Sequence, residues 1–220
     1  QKFWIGSLNF RNDLSKLIKV NDKKIYYCPH HVSHVLNALK YIPKNNHSLC
    51  FVFDGVGDGE TISVFIKKGE NLERIYVEYY PESIGLFFSA VTDYLGFNVN
   101  EGESKVMALA AYGKPVFSDF ILKNIINWNK GKIFFNSNWF DFTCNPEKSF
   151  SKKFEDYFGP KPLKNELNNI NSNDFKRIAN IAASAQKSLE IIICKIIKSY
   201  IFSIFECWIC LPRKAFRRNN

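Results

Sequence analysis

Ser48-Leu49-Cys50-Phe51-Val52-Phe53 is an apolar run that stops abruptly at Asp54-Gly55-Val56-Gly57-Asp58-Gly59-Glu60, and no other junction constrains the fold as strongly. A run of this length bounded by glycine reads as a buried strand. Gly55, Gly57 and Gly59 permit backbone angles that other residues resist, and glycine loops let backbone N–H groups approach phosphate. A second strand, Glu60 to Lys67, alternates in polarity. Gly69-Glu70-Asn71 then turns into a third, Leu72 to Tyr79. A calcium EF-hand loop fits Asp54, Asp58 and Gly59 at its positions one, five and six. It fails because Val56 and Phe65 stand at positions three and twelve, where oxygen ligands are required. Two readings of the loop stay open: a phosphate-facing hairpin, or an ordinary glycine-rich turn.

Upstream lies Pro29-His30-His31-Val32-Ser33-His34. With a helix over Val32 to Leu39, His30 and His34 fall at i and i+4, on one face, where two imidazoles can share a metal. His31 then points elsewhere and is free to orient a ligand or bind substrate. The zinc-protease pattern H-E-x-x-H is excluded, since His31 occupies the place of its general-base Glu. The alternative is a polar helix start whose imidazoles cap or bond locally. Together, the histidines and the acidic glycine loop suggest a metal-assisted phosphate or nucleotide site.

A third segment adds specificity. Pro81-Glu82-Ser83-Ile84-Gly85-Leu86-Phe87-Phe88 leads to Thr92-Asp93-Tyr94-Leu95-Gly96-Phe97, and then to Asn100-Glu101-Gly102-Glu103-Ser104-Lys105-Val106-Met107-Ala108-Leu109-Ala110-Ala111-Tyr112-Gly113-Lys114-Pro115. With H-H-x-x-H and D-G-x-G-D-G-E in this order, the chain resembles the NodU/CmcH-type O-carbamoyltransferases of nodulation-factor and antibiotic tailoring. Their pattern here is approximately G-E-Y-K-V-M-G-L-A-x-Y-G-x-P; Ser104 replaces the Tyr and Ala108 the Gly. Ile178 to Glu190, with Ala182-Ala183-Ser184-Ala185-Gln186, is similar to the family helix that follows. The resemblance covers about residues 26 to 190.

That resemblance implies an α/β fold: part of an actin-like, Hsp-seventy-like ATPase (ribonuclease H-like) architecture, with a mixed sheet and flanking helices. A divalent metal, iron by family, and ATP or carbamoyl-adenylate would sit between two lobes. A separate domain of full-length relatives makes carbamoyl-adenylate from carbamoyl phosphate and ATP, and the actin-like domain passes the carbamoyl group to a hydroxyl of a small-molecule or sugar acceptor. Residue by residue, His30 and His34 match the metal-binding histidines. Asp54, Gly55, Gly57 and Gly59 match the first phosphate-facing hairpin. Lys105 stays in place to neutralise phosphate charge or to brace the loop by an ion pair, or else is a surface lysine. The third protein ligand, an aspartate, is expected beyond the region of resemblance.

At 220 residues and 46% hydrophobic, the chain can bury a core of one or two lobes. A net charge of +9 raises nucleic acid as a partner. The lysines are scattered, however, and only Arg213-Lys214 and Arg217-Arg218 cluster, so a solvated surface and no nucleic acid are expected. Six cysteines are unevenly spaced; Cys28, Cys50 and Cys194 lie in apolar settings, which favours reduced, buried thiols in a cytoplasmic protein. Cys207-Trp208-Ile209-Cys210 has no second pair to complete a zinc site and reads as an incidental apolar pair. No secretory signal is visible.

Ile191 to Leu211 is hydrophobic, but Lys195, Lys198 and Glu206 interrupt it, each costing roughly 2.5–3.5 kcal/mol at a membrane centre. Phe175, Ile178, Ala182, Ala185, Leu189, Ile192 and Ile196 recur at steps of three and four, the stripe of an amphipathic helix capped by Ser172 or Asn173. A buried helix rather than a membrane span is expected.

Pro81 to Phe97, Glu103 to Tyr112 and Val116 to Trp128 read as helices, with Gly113 ending the second, and Lys132 to Asn136 as a short strand. Trp139 to Asn171 reads as an irregular insertion with one short helix around Phe150 to Tyr157. Residues 212–220 form a basic, divergent tail. Where the family continues into a strand and a G-G-x-x-x-N stretch, Ile209-Cys210-Leu211 could supply the strand, but Pro212-Arg213-Lys214 follows. The reading is therefore a fragment of the family's N-terminal actin-like domain. It is either the central part of a carbamoyltransferase, inactive without its missing segments, or a non-catalytic metal- or nucleotide-binding remnant; a gene fragment, a frameshift product and a split subunit with those segments on separate chains all fit the sequence. A related enzyme modifying transfer RNA is a third, weaker match.

Overall fold

The computed structural model describes residues 10–21, 24–44, 46–142, 148–163 and 170–210. Helix α1 (Phe10–Ile18), which the sequence reading did not anticipate, precedes helix α2 (His30–Leu39). Strands β1 (Ser48–Gly57), β2 (Glu60–Lys68) and β3 (Asn71–Tyr79) follow as a meander in the order β1-β2-β3. All its pairings are antiparallel, so the mixed sheet expected from the sequence is not found among the described residues. The reason is local. Asp58-Gly59, at φ 56° and 86°, makes a two-residue turn of the kind that joins twisted antiparallel strands, and Gly69, at φ 61°, turns the next pair.

Helix α3 (Ile84–Tyr94) packs against β1. It starts later than Pro81, because the Ser83 hydroxyl accepts a hydrogen bond from the Leu86 N–H at 3.0 Å and so defines the N-cap. The same hydroxyl lies 2.8 Å from the Gly55 carbonyl. Gly85 lets the helix approach closely, since a Cβ there would stand 2.6 Å from the Asp54 carbonyl oxygen. The start of α3 thus braces the segment that carries Asp54.

Helix α4 (Glu103–Ala110) leads to α5 (Ser118–Asn124). The helix expected over Val116 to Trp128 stops there: Ile126–Asn129 is strand β4, paired with β5 (Lys132–Phe135). Lys130 and Gly131, both at positive φ, close this hairpin, and its pairing buries Ile126 and Trp128 against the core. Tertiary burial outweighs the helical periodicity. A 3₁₀ turn (Ser137–Trp139) and helix α6 (Lys152–Phe158) follow, the latter close to the short helix expected in this region. Trp139, Phe140, Phe150, Phe154 and Phe158 are all buried in the main core.

Helix α7 (Asn173–Cys210) is the longest element. Ser172 caps it, its hydroxyl accepting from the Phe175 N–H at 3.0 Å. Phe175, Ile178, Ala182, Ala185, Ile192 and Ile196 are buried, as the stripe requires, each apolar side chain contributing up to about 1.5–3 kcal/mol. The turn after α4 approaches α7 closely at Gly113, where a Cβ would lie 2.0 Å from the Ala179 carbonyl oxygen. The strand expected at Ile209-Cys210 is instead helix, continuing the same ladder. Leu211 and the 212–220 tail lie outside the described residues, as do the side chains of Cys207 and Cys210. No helix among the described residues is long and apolar enough to cross a membrane.

Cys50 is buried and free, as expected. Cys28 and Cys194 are exposed, correcting the reading of all three as buried. Cys28 belongs to the irregular stretch before α2, and Cys194 lies between the buried turns at Ile192 and Ile196, on the solvent side of α7.

Candidate metal centre

Three elements meet at one corner. Helix α2 starts at His30, earlier than Val32, with Pro29 pre-set at φ −55°. No side chain of the Pro29 position caps it. The tip of the β1–β2 hairpin does so instead: Asp58 Oδ2 accepts the His30 backbone N–H at 2.7 Å, and the Tyr27 hydroxyl also donates to it. These two donors, Tyr27 first, hold the Asp58 carboxyl below its ordinary range. A carboxylate at a helix N-terminus also complements the helix dipole. Nothing in the sequence marked Asp58 for this task; only its Asp-Gly pairing signals the turn that places it.

Strand β1 supplies the acid. The β1–β2 register breaks between Phe53 and Gly57, so Asp54, Gly55 and Val56 leave the ladder and the Asp54 side chain turns toward α2. Its Oδ2 lies 2.8 Å from His30 Nε2, and His30 Nε2 lies 3.0 Å from His34 Nε2. His34 Nε2 to Asp54 Oδ2 is 3.9 Å. Ligand atoms that share an ion at 2.0–2.2 Å are separated by roughly 3 Å, so these three atoms fit one cation with little movement. Two imidazoles and one carboxylate form a borderline-to-hard donor set suited to Fe(II) and its neighbours. His30 and His34 are 43% and 54% exposed, which leaves room for exogenous ligands. The sequence reading assigned the two histidines to a metal and Asp54 to phosphate, and expected a further aspartate ligand beyond this region; the structure brings Asp54 itself to the histidines. Asp54, twenty-odd residues away in sequence, carried no spacing signal.

The glycines have distinct tasks. Gly57 lies under the His30 ring, where a Cβ would stand 2.2 Å from Cδ2. Gly59 is required by its positive φ, while a Cβ on Gly55 would meet only Leu86, at 4.0 Å. Between the metal corner and the sheet sits His31, fully buried. Its Nδ1 is 2.7 Å from Ser63 Oγ and 3.5 Å from Glu60 Oε2; its Nε2 is 4.0 Å from Asp54 Oδ2 and has no hydrogen-bond partner among the described residues. Burial pushes the imidazole down in pKa, against the upward pull of Glu60 and Asp54, so it is neutral at physiological pH.

A cavity of about 670 Å³ opens beside Asp54 and Gly55, with Leu86, Met107 and Leu189 in its wall. Among the described residues its lining carries the carboxylates of Asp54 and Glu103 and no lysine or arginine. Lys105 is not among the described residues that line this cavity. It is exposed on α4, while Glu103 and Met107, two residues to either side, face the cavity. Among the described residues it forms no ion pair that would brace the loop.

An α/β domain with antiparallel sheets, flanking helices and a His-His-Asp corner is thereby defined. Residues 4–206 match the family model described as carbamoyltransferase N-terminus, and the chain belongs to that family, in its NodU/CmcH branch. It is similar to uncharacterized protein sll1178 of Synechocystis, 38% identical over 132 residues, which are 59% of this chain and 21% of that protein. It is also similar to uncharacterized protein MJ1058 of Methanocaldococcus jannaschii, 30% identical over 144 residues, 59% of this chain and 23% of that one. Nodulation protein NolNO of Sinorhizobium fredii is 30% identical over 97 residues, 44% and 14% of the two chains. The chain thus matches only 14–23% of the length of these curated relatives.

Proposed function

We propose that this chain is the metal-holding part of an O-carbamoyltransferase, which moves a carbamoyl group from carbamoyl-adenylate to a hydroxyl of a small-molecule or sugar acceptor. The observation that carries the reading is the convergence of His30, His34 and Asp54 in a chain of the carbamoyltransferase N-terminal family. In the balanced reaction the acceptor oxygen attacks the carbamoyl carbon, the bond to the adenylate phosphate oxygen breaks, and AMP and the hydroxyl proton leave. A bound divalent cation, iron by family resemblance, would supply Lewis-acid stabilisation of developing oxygen charge. His30 and His34 hold the cation from one helix face, and Asp54 does so from β1. The hairpin around Gly57 and Gly59 would face phosphate, and the cavity beside Asp54, with no lysine or arginine lining it among the described residues, suits a neutral acceptor better than a nucleotide.

The reading includes an actin-like fold for the whole domain, a cytoplasmic setting and carbamoyl phosphate as the source of the donor. It includes no nucleic-acid or membrane partner. Residues 1–220 alone are not expected to turn over, because transfer needs an activated donor held against the acceptor, and that proximity supplies much of the rate. A second reading, a metal- or nucleotide-binding remnant without turnover, draws support from the exposure of Lys105 on α4, where it forms no ion pair among the described residues.

The test is an assay of the chain with ferrous ion, carbamoyl phosphate, ATP and a panel of hydroxyl acceptors, alone and with a carbamoyl-adenylate-forming domain from a relative. Metal-dependent carbamoylated product in the second case only supports the reading. Product from the chain alone overturns the expected inactivity, and metal binding without product in either case favours the remnant.

A further inference from the structure

We propose that His31 is the positioning residue of the metal corner: its Nε2–H is aimed at Asp54 Oδ2 and fixes that carboxylate as a one-oxygen metal ligand. This deepens the metal reading above and rests on it.

The first observation is a buried donor without a partner. His31 is fully buried, and its Nε2, lacking any hydrogen bond among the described residues, faces Asp54 Oδ2 at 4.0 Å. Buried polar atoms are seldom left unpaired, and an exception asks for the group that will satisfy it. The second observation sets the tautomer. Ser63, also fully buried, has the imidazole as its one side-chain hydrogen-bond partner among the described residues, at 2.7 Å. A hydroxyl in that position donates its proton to Nδ1 rather than leave it unpaired, which puts the ring proton on Nε2. Glu60 Oε2, also without a hydrogen-bond partner among the described residues, stands farther from Nδ1, at 3.5 Å, the outer edge of hydrogen-bond reach, and its other oxygen accepts from Arg74.

The third observation concerns Asp54 itself. Its Oδ1 accepts the Gly55 N–H at 2.7 Å, so Oδ2 is the oxygen turned to the histidines. Oδ2 lies 2.8 Å from His30 Nε2, and the buried His31 Nε2 stands 4.0 Å from the same oxygen, poised to donate to it. A closure of about 1 Å brings the pair to hydrogen-bond distance. Both carboxylate oxygens are then anchored, which selects one-oxygen ligation. Partners of this kind around metal ligands commonly account for 10–100-fold in affinity.

The experiment is a cobalt(II) titration of the full chain followed by its visible absorption, with thermal melting as a check on folding. His31→Leu should weaken cobalt binding by about 10–100-fold. His31→Gln, whose amide N–H falls near the position of Nε2, should recover most of that loss. Ser63→Ala should give a smaller loss, since the tautomer is no longer enforced, and it decides the matter if His31→Leu fails to fold. Wild-type affinity in His31→Leu, or equal loss in His31→Leu and His31→Gln, overturns the proposal. If His30→Ala and His34→Ala also bind cobalt like wild type, the metal reading itself falls; if they lose it while His31→Leu does not, only the role of His31 falls.

Discussion

Asp58, at the tip of the β1–β2 hairpin, caps the helix that carries His30 and His34: its carboxylate accepts the backbone N–H of His30 at 2.7 Å. The hairpin and helix α2 are thereby locked at the point where His30 must meet Asp54. Tyr27 donates to the same carboxylate and closes the cap from outside.

Asp58→Ala should destabilise the domain by about 0.5–2 kcal/mol, the usual cost of a lost cap, and should weaken metal binding along with it. Asp58→Asn, which keeps an acceptor and tolerates the left-handed backbone, should lose less. Chemical denaturation of the two variants checks the order. An Asp58→Ala protein as stable as wild type would remove the cap from the account.

Gly57→Ala should be far more damaging than Gly55→Ala. The added methyl at position 57 would overlap the His30 ring, at 2.2 Å from Cδ2, whereas at position 55 it meets only Leu86 at 4.0 Å. Overpacking of this kind costs about 1–3 kcal/mol and would displace His30. Parallel measurements of melting temperature and cobalt affinity distinguish the two, and equal effects would contradict the packing described here.

His30→Ala, His34→Ala and Asp54→Asn should each lower ferrous-ion affinity at least tenfold without unfolding the chain, since all three side chains are at least partly exposed. Metal content after dialysis, read beside circular dichroism, is the measurement. Full occupancy in all three would exclude this corner as a metal centre.

Tyr76 and Tyr200, whose rings meet at a tilt with centroids 5.9 Å apart, should titrate above the ordinary tyrosine value. Burial, followed by the Glu78 carboxylate, pushes Tyr200 up to about 12, and burial with a hydrogen bond to Glu78 pushes Tyr76 higher still. A raised folded-state pKa contributes stability that is complete below the unfolded value near 10 and is lost as pH rises through the folded value. Stability should therefore fall from about pH 10 upward, and fall less steeply in Tyr200→Phe. Absorbance at alkaline pH and denaturation across that range test both statements.

Ile178→Ala should cost about 2–5 kcal/mol, because this fully buried residue sits on the stripe by which α7 closes the core. A loss under 1 kcal/mol would mean that α7 is not the core-facing helix the packing indicates.

Local chemistry made much of this chain legible in advance. The stripe from Phe175 to Ile196, the Ser172 cap, the three-stranded meander and the i, i+4 pair His30 and His34 all depend on neighbours in sequence, and the motif order pointed to the family. The strand at Ile126–Asn129 escaped because its apolar pattern fits helix and strand alike, and only the burial of Trp128 against the rest of the core selects between them. The convergence of Asp54 on His30, the capping of α2 by Asp58 and the burial of His31 against Ser63 were equally out of reach. Each joins residues more than twenty positions apart, through a hairpin whose register break and turn angles fix where side chains point. Sequence periodicity specifies which face of an element is apolar; it takes the packed hairpin and helix together to decide which polar groups on those elements meet.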